Sequence, residues 1–116
     1  MSDLKRDFEK LSLDFSNSQY SLNELLVSRS KLETQFQENN IVLEEFGYLN
    51  EDSKIYKLTG PILMPQDYNE AKLNVQKRIE FIQNEIQRIE GKIQEEEKNM
   101  TSTRENLLTI RSKLIS

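Results

Sequence analysis

Apolar side chains recur at alternating steps of four and three residues along the first arm of the chain. This series of positions, which we call the seam of the arm, runs from Leu4 to Phe46, and ten of its thirteen positions are apolar. A 3.5-residue repeat sustained over this length predicts one helix of a left-handed coiled coil, at about residues 3–48. The polar positions in this seam either fix its register or are tolerated defects: Ser18, Arg29 and Asn39.

The second arm repeats the pattern from Val75 to Leu114, where ten of twelve seam positions are apolar. It predicts a second helix at about residues 66–115. Asp67 followed three residues later by Glu70 resembles a capping pair. Pro65 suits the first helical turn, because a missing N–H costs nothing there.

A short stretch that favours extended backbone separates the arms at about residues 54–64. Branched and aromatic side chains flank the turn dipeptide Gly60-Pro61, which predicts strand, tight turn and strand. An isolated hairpin is marginal in water. We therefore expect this hairpin to join other strands or a packed face.

Two arms of similar length can fold back on each other. Seam positions then pair so that their numbers sum to about 118, which places Leu4 near Leu114 and Phe46 near Lys72. A parallel dimer of continuous helices would carry a proline, two glycines and a strand pattern through its centre, and a continuous helix tolerates these badly. The predicted fold is mainly α: a single domain, residues 1–116, formed by an antiparallel two-helix coiled coil with a β-hairpin at the connecting end.

Apolar residues outside the seam indicate contact with something else, because a two-helix coil cannot bury them. One group, which we call the base set, lies near the hairpin: Ile41, Val42, Leu73 and Phe81. A second group, the tip set, combines off-seam and seam residues near the chain ends: Leu4, Phe8, Leu11, Leu13, Leu107, Leu108, Ile110, Leu114 and Ile115. Tyr20, Leu26 and Val27 fit neither group.

Composition excludes several classes of function. The chain of 116 residues has no Cys and no His, so the commonest metal ligands and acid–base side chains are missing. We expect neither an enzyme nor a bound cofactor or metal. The arms contain no basic block that could bind nucleic acid and no apolar run that could span a membrane, so a soluble intracellular protein is expected.

Three segments resemble a known family. These are Lys31-Leu-Glu-Thr-Gln-Phe-Gln-Glu-Asn39, Glu44-Glu-Phe46 and Ile55-Tyr-Lys-Leu-Thr-Gly-Pro-Ile-Leu63, supported by Asn74-Val75 and Arg78-Ile-Glu-Phe-Ile82. They are similar to the β-type subunits of prefoldin, and within them to the class called eukaryotic subunit 6. The resemblance covers residues 29–85 in specific residues and the outer arms only as coiled coil.

This resemblance implies a cytoplasmic hetero-hexamer with two α-type and three further β-type subunits as partners. Such a complex holds unfolded polypeptides, including nascent actin and tubulin, and passes them to the cytosolic chaperonin without ATP. The base set and the hairpin would then form the subunit interface, with hairpin contacts at Ile55, Tyr56, Lys57, Leu58, Thr59, Gly60, Ile62 and Leu63. The tip set would contact unfolded clients. A tethering coiled coil and an adaptor subunit of a related assembly are the alternatives.

Overall fold

Two long helices precede and follow a two-stranded hairpin along the chain in this computed structural model, which describes residues 2–50 and 52–115. The order is α1 (Ser2–Phe46), β1 (Ile55–Thr59), β2 (Ile62–Gln66) and α2 (Tyr68–Ile115). The chain divides into two compact units, one of Met1–Ser30 with Arg88–Ser116 and the other of Lys31–Gln87. The predicted fold class is confirmed.

The core of the unit Lys31–Gln87 lies where the two helices meet. Phe46 of α1 packs with Ala71, Val75 and Ile79 of α2, and all four are buried. Half-buried apolar side chains surround this cluster: Phe36, Leu43, Ile55 and Tyr68. The helices therefore run antiparallel in this unit, and every predicted seam position in it is buried or half-buried.

The other unit shows the same pairing of α1 with α2. Phe15 and Leu22 line a shallow groove together with Met100 and Arg104. Phe15 with Arg104 and Leu22 with Met100 give sums of 119 and 122, close to the value of about 118 expected for antiparallel arms. The seam positions here are again buried or half-buried, the polar ones included.

Asn39 is a polar seam residue whose hydrogen bond stays within its own helix. Its Nδ2 donates to the Gln35 carbonyl oxygen at 2.7 Å, one turn earlier in α1. A register-fixing role would need a polar bond across the seam. The observed geometry favours a tolerated defect at this position.

The hairpin turn consists of Gly60 and Pro61 alone. Strands β1 and β2 pair antiparallel, with Thr59 opposite Ile62 and Leu58 opposite Leu63. Gly60 has φ of 59°, in the left-handed region, whereas the ring of Pro61 holds its φ negative. A type I′ turn needs positive φ at both central residues, so this is a type II′ turn.

Pro65 lies in β2 opposite Tyr56, and the prediction that it begins the second helix is wrong. Proline cannot donate to a ladder, so Tyr56 and Pro65 form a pair without hydrogen bonds between them. The predicted hairpin end at residue 64 and helix start at residue 66 shift accordingly, because β2 continues to Gln66.

Asp67 caps α2. Its Oδ2 accepts a hydrogen bond from the Glu70 N–H at 3.1 Å, and its carbonyl oxygen accepts from the Ala71 N–H at 2.9 Å. A side-chain acceptor for the third helical N–H is the usual geometry of an N-cap. The sequence identified this pair correctly but placed the helix start too early.

Helix α1 ends at Phe46, two residues before its predicted end. The N–H groups of Gly47 and Tyr48 donate to carbonyl oxygens three residues back, at Glu44 and Glu45. Such tightened bonds are typical of a terminating helix. Asn50 stabilises the loop that follows α1, because its Oδ1 accepts a hydrogen bond from the Asp52 N–H at 2.9 Å.

Candidate interaction surfaces

One face of the hairpin is entirely apolar and open to solvent. Side chains alternate across a strand, so Tyr56 and Leu58 of β1 share a face with Leu63 and Pro65 of β2. All four are exposed. Contiguous exposed apolar surface of this kind is typical of interaction sites.

The opposite hairpin face meets the helices only at its base. Ile55 is half-buried against the Phe46 cluster, which anchors the start of β1. Further along, Lys57, Thr59, Ile62 and Met64 on this face are exposed. The hairpin thus presents most of its surface to solvent on both sides.

The base set lies outside the seam, as expected. Ile41 and Val42 of α1 and Leu73 and Phe81 of α2 are all exposed, within the same compact unit as the hairpin. Val42 also lines a groove with Ile55 and Tyr56. The subunit interface assigned to these residues and to the hairpin stays a prediction.

Three further apolar residues near the base are exposed and lie outside the predicted interface: Tyr48, Leu49 and Met64. The sequence predicts Tyr48 as part of the first helix, but the early end of α1 leaves its side chain 90% exposed. The sequence predicts Met64 as part of the hairpin and not as part of the interface. The run Ile62-Leu63-Met64 already contained the signal, because three successive apolar residues in an edge strand cannot all point to one face.

The tip set divides into two kinds of residue. Its seam members are half-buried between the helices: Leu4, Phe8, Leu11, Leu107, Ile110 and Leu114. Leu13, Leu108 and Ile115 are exposed. Leu108 and Ile115 are seven residues apart on α2 and so share one face of that helix. Client contact by the tip set stays a prediction.

Leu13, Tyr20 and Val27 form a stripe along α1 that the seam pattern does not predict. They are spaced by seven residues, so they lie on one face, and all three are exposed. Leu26, by contrast, is half-buried. The Tyr20 hydroxyl donates a hydrogen bond to the Glu24 carboxylate, and that bond, followed by the carboxylate charge, raises the pKa of Tyr20.

The described residues hold no constellation typical of a metal site. In residues 2–50 and 52–115, no three Asp or Glu side chains converge as metal ligands. Within the same ranges, no helix is long and apolar enough to cross a membrane. The notable surfaces in this part of the chain are apolar ones.

Several known proteins with similar sequences carry one family name. The family profile described as Prefoldin subunit matches residues 9–110. Prefoldin subunit 6 of Saccharomyces cerevisiae is 51% identical over 74 residues, which is 64% of this chain and 65% of the relative. The Arabidopsis thaliana subunit 6 is 44% identical over 80 residues, 69% of this chain and 62% of the relative. The human subunit 6 is 40% identical over 68 residues, 59% of this chain and 53% of the relative.

A solved structure matches the fold. The crystal structure of the prefoldin beta subunit from Thermococcus strain KS-1 gives a TM-score of 0.81 at 15% identity, covering 88% of this chain and 90% of that one. This likeness concerns the fold alone. The sequence matches span between about half and two thirds of the length of the curated relatives. The family profile, which covers most of the chain, confirms the resemblance seen in the sequence: the chain belongs to the prefoldin subunit family.

Proposed function

We propose that this chain is one subunit of a cytoplasmic hetero-hexameric holdase that captures unfolded polypeptides without ATP. Its partners in the proposal are two α-type and three further β-type prefoldin subunits. The complex delivers its clients, such as nascent actin and tubulin, to the cytosolic chaperonin. Family membership supports the co-chaperone role, and the exposed apolar face of the hairpin is the observation that carries the proposal.

The hairpin face supports assembly because it has no cover within the described chain. Tyr56, Leu58, Leu63 and Pro65 are exposed on a two-stranded sheet whose two strands both have free edges. A sheet of this size needs further strands or a packed surface to be stable. Hairpins of neighbouring subunits supply both.

Client holding follows from the exposed apolar residues toward the chain ends. A non-native polypeptide exposes apolar surface, and burying it contributes about 25 cal/mol per Å² before ordering costs. Leu108 and Ile115 offer only a small area on one subunit. Several subunits acting together raise the avidity by about 10²–10⁴, so each contact can stay weak and reversible.

Native mass spectrometry of the complex recovered with this chain from its own cells tests the assembly. A discrete hexamer of six small, different chains, this one present once, is the expected result. A homodimer, or one large stable partner, contradicts the proposal and moves the function to tethering. Leu58→Asp is expected to prevent incorporation into the hexamer, because it places a charge on the apolar hairpin face.

Client holding has a test of its own, suppression of the aggregation of a denatured protein by the assembled complex. The double variant Leu108→Ser with Ile115→Ser removes exposed apolar area without changing the seam. Tyr20→Ser with Val27→Ser is the matched control, with the same seven-residue spacing and similar exposure (66% and 54% against 55% and 80%). We expect the Leu108→Ser, Ile115→Ser complex to suppress aggregation less than the control complex does. Equal suppression of aggregation by the two variant complexes contradicts the tip assignment.

A further inference from the structure

A groove opens between the hairpin and the two helices within the unit Lys31–Gln87. Buried apolar side chains form its floor, among them Phe46 and Val75. The hairpin contributes Tyr56 and Lys57, and α2 contributes Arg78. Tyr56 and Lys57 are neighbours in β1 and so point to opposite faces, which places the groove on the Lys57 face of the hairpin, opposite the exposed apolar face.

The charge of this groove is of one sign. Its two charged lining residues are Lys57 and Arg78, and its remaining lining is apolar or amide-bearing, with no carboxylate. This contrasts with a chain that carries 20 acidic against 16 basic side chains. In the described part of the chain neither cation has a carboxylate partner, and both are exposed.

Two such cations beside an apolar floor suit a ligand with an apolar body and an anionic group. An Arg guanidinium binds a carboxylate in a bidentate manner, and a Lys ammonium adds a second charge-assisted bond. A free carboxylate in water gains little from such a site. A carboxylate held in place by a packed protein segment gains more, because the segment excludes water from the pair.

We propose that this groove receives an acidic side chain, carried on an apolar segment of an adjoining subunit. The inference rests on the proposed assembly and adds to it the charge that the neighbour must carry. Charge complementarity at an interface selects partners and suppresses wrong ones, because like charges that face each other repel. Lys57 and Arg78 therefore discriminate between neighbours that have similar apolar hairpins, by accepting an acidic side chain and rejecting a basic one.

Charge reversal in the co-expressed complex tests the groove. The variants are Lys57→Glu, Arg78→Glu and the two combined, with Lys77→Glu as the matched control, because Lys77 is exposed on α2 beside Arg78 but does not line the groove. The combined variant is expected to lower the amount of co-purified partner subunits at least about tenfold, and the control by less than about twofold. Circular dichroism of each purified variant checks that the helices remain.

Zero-length carbodiimide cross-linking of the assembled complex identifies the acidic residue. Lys57 is expected to form an amide with an Asp or Glu of another subunit, which peptide mass spectrometry locates. A Lys or Arg substituted at that acidic position is then expected to restore assembly of the Lys57→Glu, Arg78→Glu variant. Cross-links from Lys57 that stay within its own chain overturn the inference.

The outcomes separate this inference from the proposed function. If the combined groove variant assembles normally while Leu58→Asp does not, the charge selection is wrong and the assembly stands. If Leu58→Asp also assembles normally, the proposed hairpin interface itself is contradicted.

Discussion

The Tyr68 hydroxyl donates a hydrogen bond to the Phe46 carbonyl oxygen at 2.8 Å. The rings of the two residues also meet edge to face, with centroids 5.6 Å apart and planes at 62°. Phe46 is the last residue of α1 and Tyr68 the first of α2. One residue pair therefore joins the ends of both helices at the point where the hairpin leaves them.

Removing the Tyr68 hydroxyl tests how much its hydrogen bond to Phe46 contributes to the free energy of unfolding. Tyr68→Phe keeps the ring contact and loses one partly buried hydrogen bond, so we expect the free energy of unfolding to fall by about 1 kcal/mol. Thermal unfolding followed by circular dichroism measures the change. Tyr48→Phe is the matched control, because Tyr48 is 90% exposed, and its effect should be near zero. Equal effects at both positions would show that the link to Phe46 contributes nothing.

The cap of α2 allows a second comparison. Asp67→Ala removes the acceptor for the Glu70 N–H, and we expect a loss of about 1 kcal/mol of stability, whereas Asp67→Asn retains an acceptor and should stay close to the parent. Urea unfolding of the three proteins gives the free energies. If Asp67→Asn loses as much stability as Asp67→Ala, the charge of Asp67 stabilises α2 through the helix dipole, and its hydrogen bond does not.

The same substitution at two glycines is expected to have opposite effects. Gly60 has φ of 59°, so Gly60→Ala strains the turn by about 1–2 kcal/mol even though an added Cβ meets no atom. Gly91 lies inside α2 with open space around it, so Gly91→Ala should stabilise the helix by up to about 1 kcal/mol.

Two measurements separate these glycine variants. Hydrogen exchange at the Lys57 and Thr59 amides should be faster in Gly60→Ala, since these amides bond within the hairpin. The thermal midpoint should rise in Gly91→Ala. A fall in that midpoint would mean that the helix at Gly91 departs from ordinary geometry.

Tyr20 gives a pH-dependent prediction. Its neutral hydroxyl donates to the Glu24 carboxylate, which raises the pKa of Tyr20 above its ordinary value. A raised folded-state pKa contributes stability that is fully present below the unfolded pKa of about 10 and is lost as pH rises through the folded pKa. Glu24→Gln should therefore lower the pKa of Tyr20.

Ultraviolet difference titration measures this pKa. Subtracting the titration of a Tyr20→Phe variant isolates Tyr20 from the other three tyrosines. The Glu24→Gln titration needs the same subtraction in its own background. An unchanged pKa of Tyr20 in Glu24→Gln would exclude the carboxylate charge as its cause, because the glutamine oxygen can still accept the hydrogen bond.

The sequence predicted the helices and their pairing because the seam is a local and repeated signal. Val75, Ile79 and Ile82 fall at the predicted positions and are all buried. Pro65 was misplaced because proline suits both a first helical turn and an edge strand, and the choice depends on the pairing with Tyr56 across the hairpin. Propensity alone does not contain that information.

The interaction surfaces also differ in how far the sequence alone predicts them. The apolar residues of the hairpin were visible as an unsatisfied strand pattern, and Leu58 and Leu63 are indeed exposed. The groove with Lys57 and Arg78 was not visible, because these cations are 21 positions apart in the sequence and converge only when the hairpin packs beside α2. Neither residue differs locally from any other solvated cation.

Pro65 makes the two sides of the hairpin unequal. In an antiparallel ladder the residues of pairs without mutual hydrogen bonds direct their N–H and C=O groups outward. The free side of β1 therefore offers the N–H groups of Tyr56 and Leu58, whereas the free side of β2 offers that of Leu63 and only a carbonyl from Pro65. A strand that pairs with the free side of β1 meets a complete set of N–H and C=O groups. A strand that pairs with the free side of β2 meets no N–H donor at Pro65, so the two edges of the hairpin are not equivalent as sites for adding a strand.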